Sequence, residues 1–343
     1  MKISVGVGGY ARGDIKGAVD FVMAADRLGV DSVWSAEAWG QDAVTSLAYL
    51  AAKTKRIKLG TGIMQISART PSMTAMTALS LNELSEGRFL LGLGASGPQV
   101  VEGLHGVPYR QPLTRLKETV AICRQAFRGE KLAFEGSHHQ LPLPGGEGKA
   151  LRLDHPPATI PIYLATLGPK ALEFTGAEAD GWLGTSFSPD HADAHLSYLR
   201  QGAEAAGRSL SDLALHAAVA VGIGEDVEGM IDARRSGVAF QMGAMGSAQT
   251  NFYNEAFQRA GYVDDARAIQ QLWIAGDRKG AAARVPDAMI TEFQAVGTPS
   301  MVRERFERYR DVGISCLGVR VEGENFHSRI DGLEQVMDLV KDL

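Results

Sequence analysis

Three short apolar segments of this chain end in small residues, and these ends are where the sequence could do chemistry. The ends are Thr61-Gly62, Gly94-Ala95-Ser96-Gly97 and Thr166-Leu167-Gly168. Glycine lets a backbone approach a ligand closely, because no Cβ intervenes. In parallel α/β folds, ligands bind at the carboxyl ends of the strands. We therefore expect a large flat cofactor, or its phosphate, to bind where these segments end.

The third strand end could also bind an anion. Gly168 precedes Pro169, and proline is typical of the first position of a helix. The free N–H groups of a helix N-terminus bind phosphate. Taken singly, each of these glycines could instead do no more than form a tight turn.

Other motifs are weaker. Gly92, Gly94 and Gly97 match the spacing of a dinucleotide-binding loop, but we expect a loop rather than a helix directly after them, which argues against a Rossmann site. His138 and His139 are adjacent in a predicted hairpin, and adjacent strand residues point to opposite faces, so they make a poor metal pair. The sequence contains no nucleophile elbow, P-loop lysine or zinc-protease motif, and we predict no metal site.

Eight predicted strands alternate with helical segments. They are Ile3–Gly8, Ser32–Ala36, Ile57–Gly62, Phe89–Leu93, Ile162–Ala165, Gly181–Thr185, Ala214–Gly222 and Cys316–Val321. Eight strands, each followed by a helix, favour a barrel over a doubly wound sheet. We predict an α/β protein in which residues 1–343 form a single (β/α)8 TIM barrel with insertions.

Two segments interrupt the alternation. Residues 131–154 are rich in glycine and proline, which predicts a hairpin and loop. Residues 243–286 carry no strand pattern, and we interpret them as a helical insertion that covers the site as a lid.

Composition excludes several classes of function. The 343 residues carry a net charge of −5, with no basic run long enough to bind nucleic acid or an anionic membrane by charge alone. No apolar run approaches the ~20 residues of a membrane span. The two cysteines, Cys123 and Cys316, form no metal or disulfide pattern, and the chain begins directly with a predicted strand. We expect a cytoplasmic enzyme that acts on a small molecule.

Longer segments carry a family resemblance. They are GVDSVWSAEAWGQDA (29–43), RIKLGTGIMQISARTP (56–71), ELSEGRFLLGLGASGPQVVEGLHG (83–106), PIYLATLGPKALEFTGAEADGWLGT (161–185) and VGTPSMVRERFERYRDVGI (296–314). Together they resemble the bacterial luciferase-like superfamily. The resemblance is stronger to its deazaflavin branch, which uses coenzyme F420 and includes methylenetetrahydromethanopterin reductases and actinobacterial oxidoreductases. The fold implied is the luciferase-like TIM barrel.

The resemblance implies roles for individual residues. A non-proline cis peptide at Gly62-Ile63 would support the back of the deazaflavin ring. Ala95-Ser96-Gly97 would lie beside the cofactor tail and Leu167-Gly168 would form the phosphate-binding turn. Thr185 would line the same mouth. The predicted cofactor-binding set is Glu37, Trp39, Thr61, Gly62, Ile63, Gly94, Ala95, Ser96, Gly97, Thr166, Leu167, Gly168 and Thr185.

Three positions depart from the family pattern. The Asp-His pair of many relatives is Glu37-Ala38 here, which argues against a sugar-phosphate dehydrogenase with a histidine base. A substrate-phosphate lysine of those enzymes is replaced by Ser188, and an acidic residue by Pro98. These departures leave the substrate open.

The activity implied is hydride transfer between F420 and a small organic substrate. Glu37, Asp42 or water could deliver the proton; Trp39 and Asp42 are expected near the ring. Two alternatives stay open: an FMN-dependent luciferase-like monooxygenase, and a barrel that binds a ligand without turnover. Relatives dimerise through the second and third helices, and the segment Ala43–Thr54, rich in alanine and leucine, is compatible with a homodimer.

Overall fold

The computed structural model describes residues 1–7, 14–245, 250–323 and 325–343. Its backbone groups into two compact units. We call Ser32–Ala165 the central unit, and Met1–Asp31 together with Thr166–Leu343 the terminal unit. Predicted positions within 8–13, 246–249 and 324, such as Gly8, lie outside the described residues.

The elements follow in chain order. The strands are β1 (Lys2–Gly6), β2 (Ser32–Ser35), β3 (Lys58–Thr61), β4 (Met64–Gln65), β5 (Phe89–Gly94), β6 (Phe134–Glu135), β7 (Gln140–Leu141), β8 (Ile162–Leu164), β9 (Gly181–Gly184), β10 (Ala214–Ile223), β11 (Ala295–Gly297) and β12 (Cys316–Val321). The helices are α1 (Ile15–Leu28), α2 (Ala43–Ala51), α3 (Pro71–Leu84), α4 (Pro98–Val101), α5 (Pro112–Phe127), α6 (Pro169–Glu178), α7 (Asp193–Ala205), α8 (Val227–Ala244), α9 (Phe252–Arg259), α10 (Val263–Ile274), α11 (Arg278–Ala283), α12 (Ala288–Thr291), α13 (Pro299–Asp311) and α14 (Phe326–Leu339). Two 3-10 turns are Pro189–His191 and Leu210–Asp212.

In the central unit, four parallel strands lie side by side in the order β2, β3, β5, β8. Leu59 of β3 is in register with Val33 of β2 and with Phe89 of β5. Every residue of β5 is buried. This burial explains its unbroken apolar sequence, because strands of a parallel sheet are covered on both faces.

The terminal unit holds a second set of parallel strands. β9 pairs with β10, β10 with β12, and β12 with β1. With the central unit this makes eight principal parallel strands, each followed by a helix. The predicted α/β class and all eight predicted strands are confirmed, with ends that shift by one or two residues.

Capping residues in the sequence correctly predicted the starts of α1 and α3 and the end of α1. The Asp14 carboxylate accepts a hydrogen bond from the N–H of Gly17 at the start of α1, and Gly29 ends that helix at φ 85°. Pro71 takes the first position of α3 behind the Thr70 cap, as predicted.

Several short elements were missed. β4 and β11 are only two and three residues long, too short to show a period in the sequence. They are strands because β4 pairs with the end of β5, and β11 with the end of β10. The predicted loop after Gly94 contains α4, so a helix does follow the three-glycine motif, but it has only four residues. The predicted helix at Asp190 is split into a 3-10 turn and α7.

The helical interpretation of residues 243–286 is confirmed for the part that the structure describes. It contains α9, α10 and α11, and no described residue of it is in a strand. Phe257, Ile269 and Ala281, one from each helix, are buried in one apolar cluster with Val238 and Met242 of α8. A covering role for this insertion stays a prediction.

The predicted hairpin within residues 131–154 is confirmed: β6 and β7 pair antiparallel. The two histidines lie in its turn and not on a strand as predicted. One buried carboxylate, Glu118 of α5, accepts hydrogen bonds from the backbone N–H groups of Ser137, His138 and His139 and from the ring of His139. The histidines are therefore held by a carboxylate that the sequence did not connect to them. Among the described residues, no group of three or more His, Cys, Asp or Glu could hold a metal ion.

No helix of the described residues combines the length and the apolar character that crossing a bilayer requires.

We expect Glu118→Gln to destabilise the protein by about 2 kcal/mol at pH 7, because several hydrogen bonds to a charged, buried acceptor are weakened. Burial raises the pKa of Glu118, but the hydrogen bonds from Ser137, His138 and His139 outweigh it and leave that pKa below its usual 4.5. The carboxylate's contribution is therefore complete above the ordinary glutamate pKa and is lost as the pH falls through the lower folded-state pKa. Urea unfolding at pH 7 and pH 3.5 measures both effects.

The difference in unfolding free energy between wild type and Glu118→Gln should be smaller at pH 3.5 than at pH 7. Glu135→Gln, an exposed site in the same hairpin, is the matched control and should change little at either pH. An equal difference in unfolding free energy at both pH values would contradict a stabilising role for the ionised Glu118 carboxylate.

Candidate functional site

The cis peptide bond expected between Gly62 and Ile63 is present, directly after β3. The N–H of Gly62 donates to the carbonyl of Ser35 at 2.6 Å, and Ile63 accepts from the N–H of Glu37 at 3.1 Å. A Cβ built on Gly94 would lie 3.0 Å from Cδ1 of Ile63. The bulge therefore packs on the bare backbone of Gly94, and any side chain at that position would press on Ile63.

Thr61 has a structural role in addition to the cofactor-binding role predicted for it, which stays a prediction. Its hydroxyl donates to the carbonyl of Gly92 and accepts from the N–H of Gly92, at 2.8 and 2.9 Å. The side chain is fully buried. It ties β3 to β5 across the sheet, and both its donor and its acceptor are engaged there.

The loop after β5 is anchored by a tyrosine that sequence reasoning missed. Ala95, Ser96 and Gly97 are half-buried, and Ser96 has φ 59°. The phenol of Tyr109 donates to the carbonyl of Ser96 at 3.0 Å. Burial raises the pKa of Tyr109 to about 12, so the phenol keeps its proton at neutral pH.

Glu37 binds four donors on two loops. Its Oε2 accepts from the N–H of Gln65 at 3.0 Å and from Arg69 at 2.8 Å. Its Oε1 lies 2.7 Å from the other Arg69 nitrogen and accepts weakly from the N–H of Ala43 at 3.3 Å. The glutamate side chain is 8% exposed and the arginine 20%. This is a bidentate, largely buried ion pair.

These contacts change the interpretation of Glu37. Both carboxylate oxygens already accept two hydrogen bonds each, so the geometry suits a group that positions its loop better than one that delivers a proton. Gln65 strengthens the link, because its amide nitrogen donates to the carbonyl of Glu37 at 3.2 Å. Arg69 and Gln65 were missed because nothing in the sequence pairs them with a residue about thirty positions earlier.

Asp42 is the N-cap of α2. Its carboxylate accepts from the N–H groups of Val44 and Thr45 at 2.9 and 2.7 Å. Burial raises the pKa of Asp42, but these hydrogen bonds and the charge of Arg69 outweigh it and lower the pKa overall. An ionised cap is a poor proton donor. Trp39, in the same loop, is 65% exposed.

The other predicted residues belong to the terminal unit. The hydroxyl of Thr166 is buried and bonds to that of Thr175 at 2.7 Å, while the Thr166 carbonyl accepts from the indole of Trp182. Gly168 precedes α6 without any side-chain cap, and a Cβ built on it would meet no atom within 4 Å. The open space at Gly168 and the helix start without a side-chain cap fit the predicted phosphate turn.

An arginine from the helical insertion reaches this turn. Arg259 of α9 donates to the carbonyl of Leu167 at 2.6 Å. Burial lowers the pKa of its guanidinium, which nevertheless stays charged at neutral pH. Thr185 is half-buried at the end of β9. Ser188 is fully buried and accepts from the N–H of Asp190, so it starts the 3-10 turn.

The structure thus collects Glu37, Asp42, Gly62, Ile63 and Gly94 at the strand ends of the central unit. Thr166, Leu167, Gly168 and Thr185 follow strand ends of the terminal unit. Each set offers close-packed backbone and few free side-chain groups. The first set fits a flat ring and the second an anionic group.

Comparison with known proteins identifies the family to which this chain belongs. The family model for luciferase-like monooxygenases matches residues 1–316. The chain is 37% identical to a Mycobacterium tuberculosis protein provisionally named coenzyme F420-dependent oxidoreductase Rv3520c, over 93% of this chain and 94% of that one. It is 31% identical to 5,10-methylenetetrahydromethanopterin reductase of Methanolobus tindarius, over 86% and 87% of the two chains.

Among solved structures, the coenzyme F420-dependent tetrahydromethanopterin reductase of Methanopyrus kandleri superimposes with a TM-score of 0.79, at 23% identity and 97% coverage of both chains. This likeness confirms the (β/α)8 barrel. With the family match over most of its length, the chain belongs to the luciferase-like monooxygenase family.

Proposed function

We propose that this protein is an F420-dependent oxidoreductase that transfers a hydride between the deazaflavin and a small organic substrate. The main support is the 37% identity, over nearly the whole chain, to a relative named for F420. The close packing of Ile63 on the bare backbone of Gly94 adds to it, since the resemblance implied that both residues contact the cofactor.

When bound, the deazaflavin supplies the carbon that gives or takes the hydride. The chain's own residues orient that ring. Ile63, backed by Gly94, offers a firm apolar surface on one side. Gly168 and the uncapped start of α6 offer N–H groups to the phosphate. Glu37 holds the loop that carries Trp39.

The proton in this proposal comes from water or from the substrate's own groups. Glu37 is committed to Arg69, and Asp42 to the start of α2. Arg259 at the Leu167 carbonyl is a cation available to the phosphate turn. The substrate class stays open, because Ala38 and Ser188 provide neither the imidazole nor the lysine of the sugar-phosphate enzymes.

A paired fluorescence titration of the apo-protein with F420 and with FMN tests the cofactor. We expect F420 to bind at least tenfold more tightly. Preferential binding of FMN would instead assign the protein to the flavin monooxygenases. Tight F420 binding without any redox change across a panel of alcohols, ketones and unsaturated acceptors would support a barrel that only binds.

Substitutions at Glu37 and Arg69 test positioning against proton transfer. We expect Arg69→Met and Glu37→Gln each to weaken F420 binding at least tenfold, because each leaves a buried polar partner unpaired. The double variant should be no worse than the more severe single one, since both remove the same contact. The readouts are the dissociation constant of F420 and the pH profile of kcat.

A proton donor would behave differently. Glu37→Gln would then lower kcat and remove one limb of its pH profile while F420 affinity held, and Arg69→Met would keep that limb. That pattern would overturn the positioning role.

We also infer a homodimer formed through α2 and α3. Tyr49 of α2 and Met73 and Met76 of α3 are about half exposed, which leaves an apolar surface on two neighbouring helices. We expect Met76→Glu to shift the protein to a monomer in sedimentation equilibrium. Met301→Glu, at an equally exposed methionine on α13, is the control and should leave the mass unchanged. A monomeric wild type would refute the dimer.

A further inference from the structure

A shallow cleft in the central unit lies beside the loop that follows β5. It is open to solvent, and its lining includes Ser67, Ala95, Tyr109, Arg110 and Arg115. Ala95 belongs to that loop, and Ile66 in the cleft's floor is bonded through its N–H to the carbonyl of Gly94 at 3.2 Å. The cleft therefore adjoins the residues expected beside the cofactor tail.

Two cations of this cleft find no acceptor among the residues that the structure describes. Neither Arg110 nor Arg115 makes a side-chain hydrogen bond or an ion pair with any residue that the structure describes. The nearest acid along α5 is Glu118, one turn after Arg115, and its carboxylate serves the hairpin turn. Glu102 accepts from the backbone N–H of Tyr109. Two positive charges thus have no direct ion-pair partner in the described part of the chain.

Neutral donors in the same place are also unused. α5 begins behind Gln111, which provides no side-chain cap, and its first residue is Pro112. The N–H groups of the first turn of a helix carry a partial positive charge and need acceptors. The hydroxyl oxygen of Ser67 is buried and has no hydrogen-bond partner among the described residues. Arginines, helix N–H groups and a hydroxyl together form a site for an anion.

The cleft is joined to the β5 loop by one contact. The phenol of Tyr109 donates to the carbonyl of Ser96, so the backbone that carries Arg110 is tied to Ala95-Ser96-Gly97. An anion bound between the arginines would therefore lie directly next to that loop. The opening is shallow, which suits one or two carboxylates at the end of a chain and not a buried ring.

We infer that this cleft binds the carboxylates at the anionic end of the cofactor, through Arg110, Arg115 and the start of α5. This inference rests on the proposed function. F420 carries its deazaflavin on a phosphodiester chain that ends in glutamate, whereas the same deazaflavin without phosphate and glutamates is uncharged at that end. The cleft then distinguishes a long-tailed cofactor from a bare ring.

The experiment compares F420 with the tail-less deazaflavin by fluorescence titration at two salt concentrations. Replacing both arginines, Arg110→Gln with Arg115→Gln, should weaken F420 binding about 10- to 100-fold, since each hydrogen bond to a charged group corresponds to roughly a tenfold change. Binding of the tail-less deazaflavin should not change. The affinity for F420 should also become less dependent on salt.

Matched variants make the outcome decisive. Arg152→Gln removes an exposed cation elsewhere in the central unit and should leave both affinities unchanged. The double lysine variant, Arg110→Lys with Arg115→Lys, keeps the charge and should restore part of the F420 affinity. Thermal unfolding checks that each variant folds.

Two failures are distinguishable. If the double glutamine variant weakens both ligands equally, or neither, the cleft does not bind the tail, while deazaflavin binding by the wild type still stands. If the wild type binds neither ligand, the proposed function fails and this inference fails with it.

Discussion

The ion pair between Glu37 and Arg69 holds together the strand ends on which the rest of the candidate site depends. One carboxylate receives donors from β4, from the segment after it and from the start of α2, and the N–H of the same residue donates to the carbonyl of Ile63. A carboxylate that is 8% exposed requires such partners, because an unpaired buried charge costs several kcal/mol. The loop with Trp39 and the cis bulge are therefore joined as one rigid piece.

The close packing around the bulge explains why glycines occupy the neighbouring strand positions. With the bulge held at Glu37, Ile63 packs against β5, and a side chain at position 94 would force Ile63 to shift. The same close packing recurs at Gly60, where a Cβ would lie 2.3 Å from the ring of Trp34. The glycines that pointed to a ligand in the sequence thus also serve the protein's own packing. At Gly94 the packing role is compatible with the proposed cofactor-binding role.

Charge is distributed unevenly around this packed surface. Where the structure needs rigidity, acids are paired: Glu37 with Arg69, and Glu118 with the turn that contains His139. Beside the β5 loop, Arg110 and Arg115 have no acidic partner among the described residues. They line a cleft at the start of α5, where the helix has no side-chain cap. The chain's net charge of −5 hides this local positive region.

Much of this protein was determined by the sequence alone, because the signals are local. Short apolar runs, several of which end in glycine, marked the eight principal strands, and Asp14, Gly29 and Pro71 marked helix ends through contacts within a few residues. What tertiary structure decided involves distant segments. β4 and β11 exist through pairing with longer strands. The ion pair between Glu37 and Arg69 forms only when the fold brings two distant segments together. Likewise, only the folded structure shows which described acceptors lie near Arg110 and Arg115. Sequence spacing encodes a period along one element, but it does not encode which side chains meet between elements.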